Sequence, residues 1–340
     1  MNCRLIIQME TPLVSIVCDV YNHEPYLRKC LDGFVMQETT FPFEILIHDD
    51  ASSDHSSDII HEYEKRYPAL FKPIYQKVNQ YSKGVKIWAT IQFPRAKGKF
   101  IAICEGDDYW TDPLKLQKQV DFLEKNKDIG LCFTDYSIRN ASLKLVKDAC
   151  FRNGKPRSTC FEDHLLSQGY IAPMTWMYRK DVYLGLDTPT GFIDGTFAVA
   201  LEFFKKSQVG FIDDDTAVHV IHPGSATNQI DLSRRVNYLY DVVKEQLFFS
   251  RKYCDDNMTS RICFNKYLEL LPMAVLVNNE SFLADASAFF TGKGACFDDL
   301  LRQAEEISQI RQDAINARSS YSYRLGALIL RPFKLFLKKS

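Results

Sequence analysis

No stretch of this 340-residue chain approaches the ~18 consecutive apolar residues that span a bilayer, which excludes a membrane-crossing helix. No Cys-x-x-Cys pair occurs, and neither an internal repeat nor a low-complexity tract is present. A surplus of one charge is missing too. Forty-two Lys+Arg face 43 Asp+Glu, so no overall basic field recommends nucleic acid as a partner, and a charged ligand must be met by a local patch. The first ten residues carry one Arg and three adjacent apolar residues, Leu5, Ile6 and Ile7. That is too short for a secretory signal, and the expected location is cytoplasmic.

What is present is an ordinary globular composition, 46% hydrophobic and 25% charged, which excludes disorder and a small disulfide-stapled scaffold. The length suits about two domains. Ten cysteines are scattered, and Cys18, Cys104 and Cys132 sit inside apolar runs. They read as reduced core thiols rather than a disulfide set.

The first 135 residues alternate two periodicities. Residues 13–20 form a continuous apolar run with β-branched residues, the mark of a buried strand. Leu27, Leu31 and Phe34 then repeat at helical spacing. A second strand at 44–47 ends in His48-Asp49-Asp50, and a helix follows with Ile59, Ile60 and Tyr63 on one face. Residues 71–75 form a third strand, which Pro73 places at a sheet edge. A fourth, 100–104, runs into Glu105-Gly106-Asp107-Asp108. Asp112-Pro113 is expected to open the next helix, and 129–133 is a further strand. Strands separated by helices predict an α/β fold with a doubly wound, largely parallel sheet. Ligands of such sheets lie beyond the carboxyl ends of strands, where both acidic clusters fall. Residues 231–318 keep helical spacing through Leu232, Val236, Leu239, Val243 and Leu247.

Asp49-Asp50-Ala51-Ser52-Ser53-Asp54 is by itself an Asx-rich turn that caps a helix. A carboxylate there is also placed to accept from a nucleobase N–H or a ribose hydroxyl. Glu105, Asp107 and Asp108 are three carboxylates in four residues, which repel unless a cation neutralises them. Such hard oxygen ligands suit Mg²⁺ or Mn²⁺. The other reading is a solvated acidic turn, against which Tyr109-Trp110 speak as walls of a pocket.

Residues 13–135 resemble the family 2 glycosyltransferases of GT-A fold. Val14-Ser15-Ile16-Val17-Cys18-Asp19-Val20-Tyr21-Asn22 is similar to the family's first strand, and Tyr26-Leu27-Arg28-Lys29-Cys30-Leu31 to the helix after it. Glu44-Ile45-Leu46-Ile47-His48-Asp49-Asp50-Ala51-Ser52 resembles the strand that ends in Asp-Asp-Gly-Ser, and the segment from Ala96 to Asp108 the approach to a metal-binding Asp-x-Asp. The chain departs from the pattern at Asp19 for Pro, Ala51 for Gly and Glu105 for the first metal-motif Asp.

The resemblance implies a GT-A type doubly wound mixed sheet with a C-terminal helical region. It implies that Tyr21 and Asp50 hold the base of a nucleotide-diphosphate sugar, UDP by default. Asp107 would meet the ribose or the metal, and Asp108 the Mn²⁺ or Mg²⁺ that bridges the diphosphate, with Glu105 in the metal motif. Arg95 is near enough in sequence to meet phosphate. Asp194, before the helix-like stretch 197–204, matches by position the base that takes the acceptor's proton, though a helix cap explains it equally. Glu202 is the reserve. His222 in His222-Pro223-Gly224-Ser225 is a candidate for the diphosphate or metal shell, whereas His219 alternates with apolar residues like a packed strand residue. Trp176 is a candidate to stack on an acceptor sugar.

The expected organisation is a catalytic domain over 1–230, its nucleotide half at 11–135 and its acceptor half at 136–230, then a helical region over 231–340. The last 23 residues interleave Arg318, Arg324, Arg331, Lys334, Lys338 and Lys339 with apolar residues and contain no acid. They read as an anchor for an anionic membrane surface, hence a peripheral position on the inner face of the plasma membrane, or as a docked terminal helix. The expected activity is metal-dependent, inverting transfer of a sugar to a saccharide or lipid-linked glycan acceptor in surface polysaccharide synthesis. The alternatives are an inactive glycan-binding or scaffold module of the same fold, or a nucleotidyltransferase. No Gly-rich phosphate loop follows the first strand, which disfavours the latter.

Overall fold

A computed structural model describes residues 11–154, 158–167, 171–187, 195–223 and 231–319. Two compact units divide the chain, Met1–Asn228 and Gln229–Ser340. The first opens with β1 (Val14–Val20), α1 (Glu24–Val35), β2 (Phe43–Asp49), α2 (Ser56–Arg66) and β3 (Phe71–Tyr75). A π-helical turn, Trp88–Gln92, leads into α3 (Phe93–Arg95), then β4 (Phe100–Ile103), β5 (Tyr109–Trp110), α4 (Lys115–Lys125), β6 (Ile129–Asn140) and β7 (Leu145–Lys147). It closes with α5 (Phe161–Ser167), β8 (Met177–Arg179), α6 (Lys180–Leu184), α7 (Gly195–Lys206) and β9 (Gln208–Ile221). The second unit contains α8 (Leu232–Tyr253), α9 (Asp256–Leu276), α10 (Glu280–Gly292) and α11 (Phe297–Ser319). Among the described residues no helix is long and apolar enough to cross a membrane, and no disulfide joins the cysteines.

One sheet runs through the first unit in the order β3-β2-β1-β4-β8-β6-β9-β5, with β7 beside β6. β1 pairs in parallel with β2 and β4, and β2 with β3. β3 is the edge strand, so Pro73, opposite Ile47, removes no donor that a further strand needs. Past β4 the direction reverses. β8 is antiparallel to both β4 and β6, β6 and β9 run parallel, and β5 is antiparallel to β9. The sheet is therefore mixed, as the family resemblance implied, and less parallel than the strand–helix alternation suggested. The reversing strands β5 and β8 have only two and three residues, too short to leave a periodic signal.

β1 explains its own composition. Val14, Ile16, Cys18 and Val20 pack with Leu27, Leu31 and Phe34 of α1 and with Leu116, Val120 and Leu123 of α4. Val17 packs on the other face with Leu46, Ile101, Ile103, Tyr178 and Phe203. A strand covered on both faces has no solvent side, so the run is unbroken. Each such aliphatic side chain contributes about 1.5–3 kcal/mol by its burial. At the amino end of β1, Ser15 Oγ donates to Glu44 Oε1 (2.7 Å), which also accepts from Lys97 N (2.8 Å).

α4 begins two residues beyond the expected Pro113, while Asp112 Oδ1 accepts from Leu114 N at 2.8 Å. Its first residue, Lys115, is a fully buried lysine. The ammonium lies 4.9 Å from the Trp110 ring centre and donates to Gln119 Oε1 and to Thr175 O (3.3 Å). It thus ties α4 to β5 and to the 173–175 turn. Burial pushes Lys115 down to about 8, against ~10.4 for an unfolded lysine. Between these values the unfolded chain binds the extra proton, so this residue makes stability rise with pH. Relative to Lys115→Met, the wild type is expected to gain about 3 kcal/mol of unfolding free energy from pH 8 to 10.5, measured by urea denaturation. Parallel pH profiles of the two proteins would contradict it.

Candidate active site

The carboxyl ends of β1, β2 and β4 converge through backbone bonds. Asp50 N donates to Val20 O (2.9 Å) and Gly106 N to Asp19 O (3.1 Å). The approach at Gly106 is close: a Cβ there would lie 2.8 Å from His23 Nδ1 and 3.0 Å from Val20 Cγ2. After β1, Asn22 N donates to Ser52 Oγ (3.0 Å) and Asn22 Oδ1 accepts from Ser53 N (2.7 Å). Both Asn22 (φ 57°) and Ala51 (φ 63°) take left-handed backbone. Asparagine accepts that conformation readily; alanine is strained by it, and Ala51 stands where the resembled family has glycine.

The three clustered carboxylates diverge. Glu105 is exposed, Asp107 half-buried and Asp108 buried. Asp108 Oδ1 accepts from Val220 N (2.8 Å) and faces His219 Nδ1 (3.1 Å). Burial raises its pKa against the opposing pull of His219. Asp107 Oδ2 meets His222 Nε2 at 2.9 Å, with His23 Nε2 at 3.9 Å, and Oδ1 is buried without a hydrogen-bond partner. Burial pushes Asp107 up, but the His222 hydrogen bond and the charges of His23 and His222 outweigh it and leave it lowered. The Tyr26 ring stacks on His222, centroids 4.9 Å apart at 27°.

This geometry separates the carboxylates of the expected metal set. Asp108 fastens β5 to β9, its buried carboxylate accepting from Val220 N and facing His219. Glu105 does not converge with the other two. Among the described residues no three His, Cys, Asp or Glu side chains form a group that holds a metal. A hard dication that keeps its waters and takes substrate phosphates needs only one or two protein ligands. Asp107, with its unpartnered Oδ1, and the adjacent His222 fit that kind of open site.

Other expected residues fall as follows. Tyr21 is 47% exposed at the end of β1. Asp50 is 2% exposed, and its oxygens accept from Gln80 N (2.7 Å) and Tyr81 N (3.0 Å), so it secures the loop after β3 rather than presenting a bare carboxylate to a base. Arg95 is half-buried, and burial lowers its pKa against the pull of Glu44 and Asp19. Its electrostatic partners are thus Glu44, at the amino end of β2, and Asp19 of β1. Trp176 is not an acceptor platform: it is 1% exposed, its Nε1 donates to Ile171 O (2.9 Å), and no ring face is open to a sugar. Asp194 lies outside the described residues. Glu202 is buried mid-helix and accepts from Asp187 N (3.2 Å), a placement that removes it as the reserve base. Asp19 accepts from Gln92 Nε2 (2.9 Å), and burial pushes it up to about 7. The residues that sequence reasoning missed are Tyr26, His23 and the loop held by Asp50. The link of Tyr26 to the site runs through His222, at the end of β9, whose pairing with β5 joins residues more than 100 positions apart. Tyr26 was quoted for its place in the helix, and nothing in its spacing points to His222.

The model of the family described as glycosyl transferase family 2 matches residues 15–185, half of the chain. The chain belongs to glycosyl transferase family 2. An uncharacterized protein of Mycobacterium tuberculosis is 42% identical over 167 residues, covering 49% of this chain and 47% of that protein. The chain therefore spans about half the length of the mycobacterial relatives it matches. TuaG of Bacillus subtilis, named as a teichuronic acid biosynthesis glycosyltransferase, is 29% identical over 72% of this chain and 93% of its own. Among solved structures, S. aureus TarS in complex with UDP-GlcNAc superposes with TM-score 0.55 at 16% identity, covering 88% of this chain and 92% of its own. The mannosyltransferase PcManGT from Pyrobaculum calidifontis, in complex with GDP-Man and Mn²⁺, gives 0.57 at 15% identity, covering 94% and 84%. These likenesses establish a GT-A fold for this family 2 glycosyltransferase.

Ala51→Gly is expected to stabilise the protein by about 1 kcal/mol through relief of the left-handed strain. Urea unfolding checks it, and a destabilised variant would show that Ala51 carries no strain.

Proposed function

We propose that the chain transfers a sugar from a nucleotide-diphosphate sugar to a saccharide or lipid-linked glycan acceptor, with inversion, in surface polysaccharide synthesis. The observation that carries the reading is the Asp107–His222 pair, 2.9 Å apart beyond the ends of β4 and β9. The name of TuaG and the nucleotide sugars named with TarS and PcManGT support it. Tyr21 offers a ring to the base, and UDP is the default nucleotide.

Asp107 and His222 would hold Mn²⁺ or Mg²⁺, which when bound neutralises charge on the departing nucleoside diphosphate. Tyr26 keeps the His222 imidazole in line with Asp107 by stacking on it. In the transfer, the acceptor oxygen bonds to the anomeric carbon as the bond from that carbon to the phosphate oxygen breaks. The acceptor's proton passes to a carboxylate, for which Asp194 is the candidate. The basic tail, 318–340, would hold the protein to an anionic leaflet, each basic residue near the surface adding about 1 kcal/mol. Its side chains lie outside the described residues.

Calorimetric titration with UDP, with and without Mn²⁺, tests the site. Asp107→Asn is expected to lose the Mn²⁺-dependent part of UDP binding, at least ~10-fold, with little change in melting temperature. Asp108→Ala is expected instead to destabilise the fold by about 1–3 kcal/mol, because Val220 N loses its buried partner. Full Mn²⁺-dependent binding by the Asp107 variant would overturn the metal assignment. If the wild type neither binds nor hydrolyses any of a panel of UDP- and GDP-sugars, the donor reading falls.

A further inference from the structure

Residues 65–104 contain nine Lys and Arg and no Asp or Glu, in a chain of nearly zero net charge. Most of these cations have a place already. Lys65 and Arg66 close α2, Lys72 Nζ donates to Pro68 O (3.0 Å), Arg95 is half-buried and Lys99 pairs with Glu124. Lys77, Lys83 and Lys86 remain, all exposed within ten residues of the connection from β3 to the π-turn. No carboxylate pairs with Lys77 or Lys83 among the described residues.

The same stretch exposes two apolar side chains, Val78 at 50% and Tyr81 at 72%. Its backbone is tied to the strand ends. Gln76 N donates to Asp49 O (2.9 Å), Gln80 N (2.7 Å) and Tyr81 N (3.0 Å) donate to the Asp50 carboxylate, and Val85 N donates to Gln80 O (3.1 Å). Gly84 closes the turn Tyr81–Lys83 with left-handed backbone (φ 77°). Single exposed apolar residues are ordinary on a protein surface. Here two of them stand on a fixed loop between Lys77 and Lys83, a segment that spans at most ~25 Å even when extended. Apolar tips flanked by cations, with no acid in the segment, match the headgroup region of an anionic bilayer. A tyrosine ring settles at that interface, and lysine stems lie along apolar surface while their charged ends reach phosphate.

We infer that the 77–86 loop is a membrane-contact surface of the first unit, Val78 and Tyr81 entering the headgroup region of an anionic leaflet and Lys77 and Lys83 meeting its phosphates. β1 runs parallel to β2 and β4, and β2 to β3, so the loop leaves the sheet at the same end at which Asp107 follows β4. The contact therefore sets the candidate site beside the bilayer, where a lipid-linked acceptor lies. It is separate from the basic tail and depends on neither nucleotide nor metal. A soluble anionic glycan would meet the same charges, but the exposed apolar pair favours a bilayer.

The test is co-sedimentation of the full chain with mixed phosphatidylglycerol–phosphatidylcholine vesicles. A tail variant, with Arg331, Lys334, Lys338 and Lys339 each replaced by Gln, removes most of the tail's charge. This variant is expected still to bind, and adding Lys77→Gln and Lys83→Gln to weaken its partition about 25-fold, near fivefold for each lysine. Tyr81→Trp is expected to show fluorescence quenching by brominated phosphatidylcholine beyond that of the wild type. A tail variant that no longer binds, or whose binding the two loop substitutions leave unchanged, overturns the inference. So does a Tyr81→Trp protein quenched no more than the wild type. Loop substitutions that weaken binding of soluble polygalacturonate but not of vesicles also overturn it, and assign the lysines to an anionic glycan. No nucleotide or Mn²⁺ enters these measurements, so their failure leaves the donor reading untouched.

Discussion

The antiparallel contact of β5 with β9 brings Asp107 and Asp108 to His222 and His219. It is only two residues long, Tyr109 opposite Val218 and Trp110 opposite Ala217. A ladder that short is weak by itself, and the Asp108 carboxylate reinforces it by accepting from Val220 N and facing His219. Once β9 is held there, the chain leaves it at Ile221 with His222 directly over Asp107. The neighbouring aspartates thus divide two tasks. The buried one builds the strand contact, and the half-buried one retains an oxygen without a partner. Exchanging their environments would leave a charged group stranded in the core, which is why the acidic motif cannot be treated as three equivalent ligands.

How much of this was legible in the sequence follows from the range of each interaction. β1, β2, β3 and β4 were readable because each is buried by its own neighbours, and the apolar run or its interruption at Pro73 reports that directly. The expected ends of these strands located both acidic clusters. What could not be read was the second half of the sheet. β5 and β8 are too short to carry a period, and β6 and β9 pair with register shifts that no local pattern encodes. The placements of Trp176 and Asp108 trace to this. Trp176 directly precedes β8, which lies within the sheet between β4 and β6, and its ring fills the core beside Phe203 and Tyr178 instead of facing an acceptor. The family resemblance makes Asp108 a metal ligand, and its contact with Val220, 112 residues away, is one that no local pattern reports.

The departures from the family pattern have local physical counterparts. Ala51 occupies left-handed backbone that glycine would adopt without strain, and the turn persists because Asp49 and Asn22 bind Ser52 and Ser53 on either side of β1 and β2. Asp19, in place of proline, keeps a backbone N–H in the strand and adds a carboxyl that accepts from Gln92, whose amide also reaches Cys18 O (3.2 Å) and Leu46 O (3.3 Å). The substitution therefore couples β1, β2 and the π-turn through one buried glutamine. Asp50, past the end of β2, secures residues 79–81 of the loop that follows β3.

Under the proposed function, a dication held by Asp107 and His222 would supply the positive charge that a diphosphate requires without a cluster of arginines beside the acids. Arg95, the one basic residue that sequence proximity offered to the phosphates, is half-buried within the fields of Glu44 and Asp19, and its Nη1 is buried without a hydrogen-bond partner. Under that proposal phosphate recognition would be carried by a component that binds with the substrate, so metal removal would weaken the diphosphate half of the site and leave contacts to the base in place.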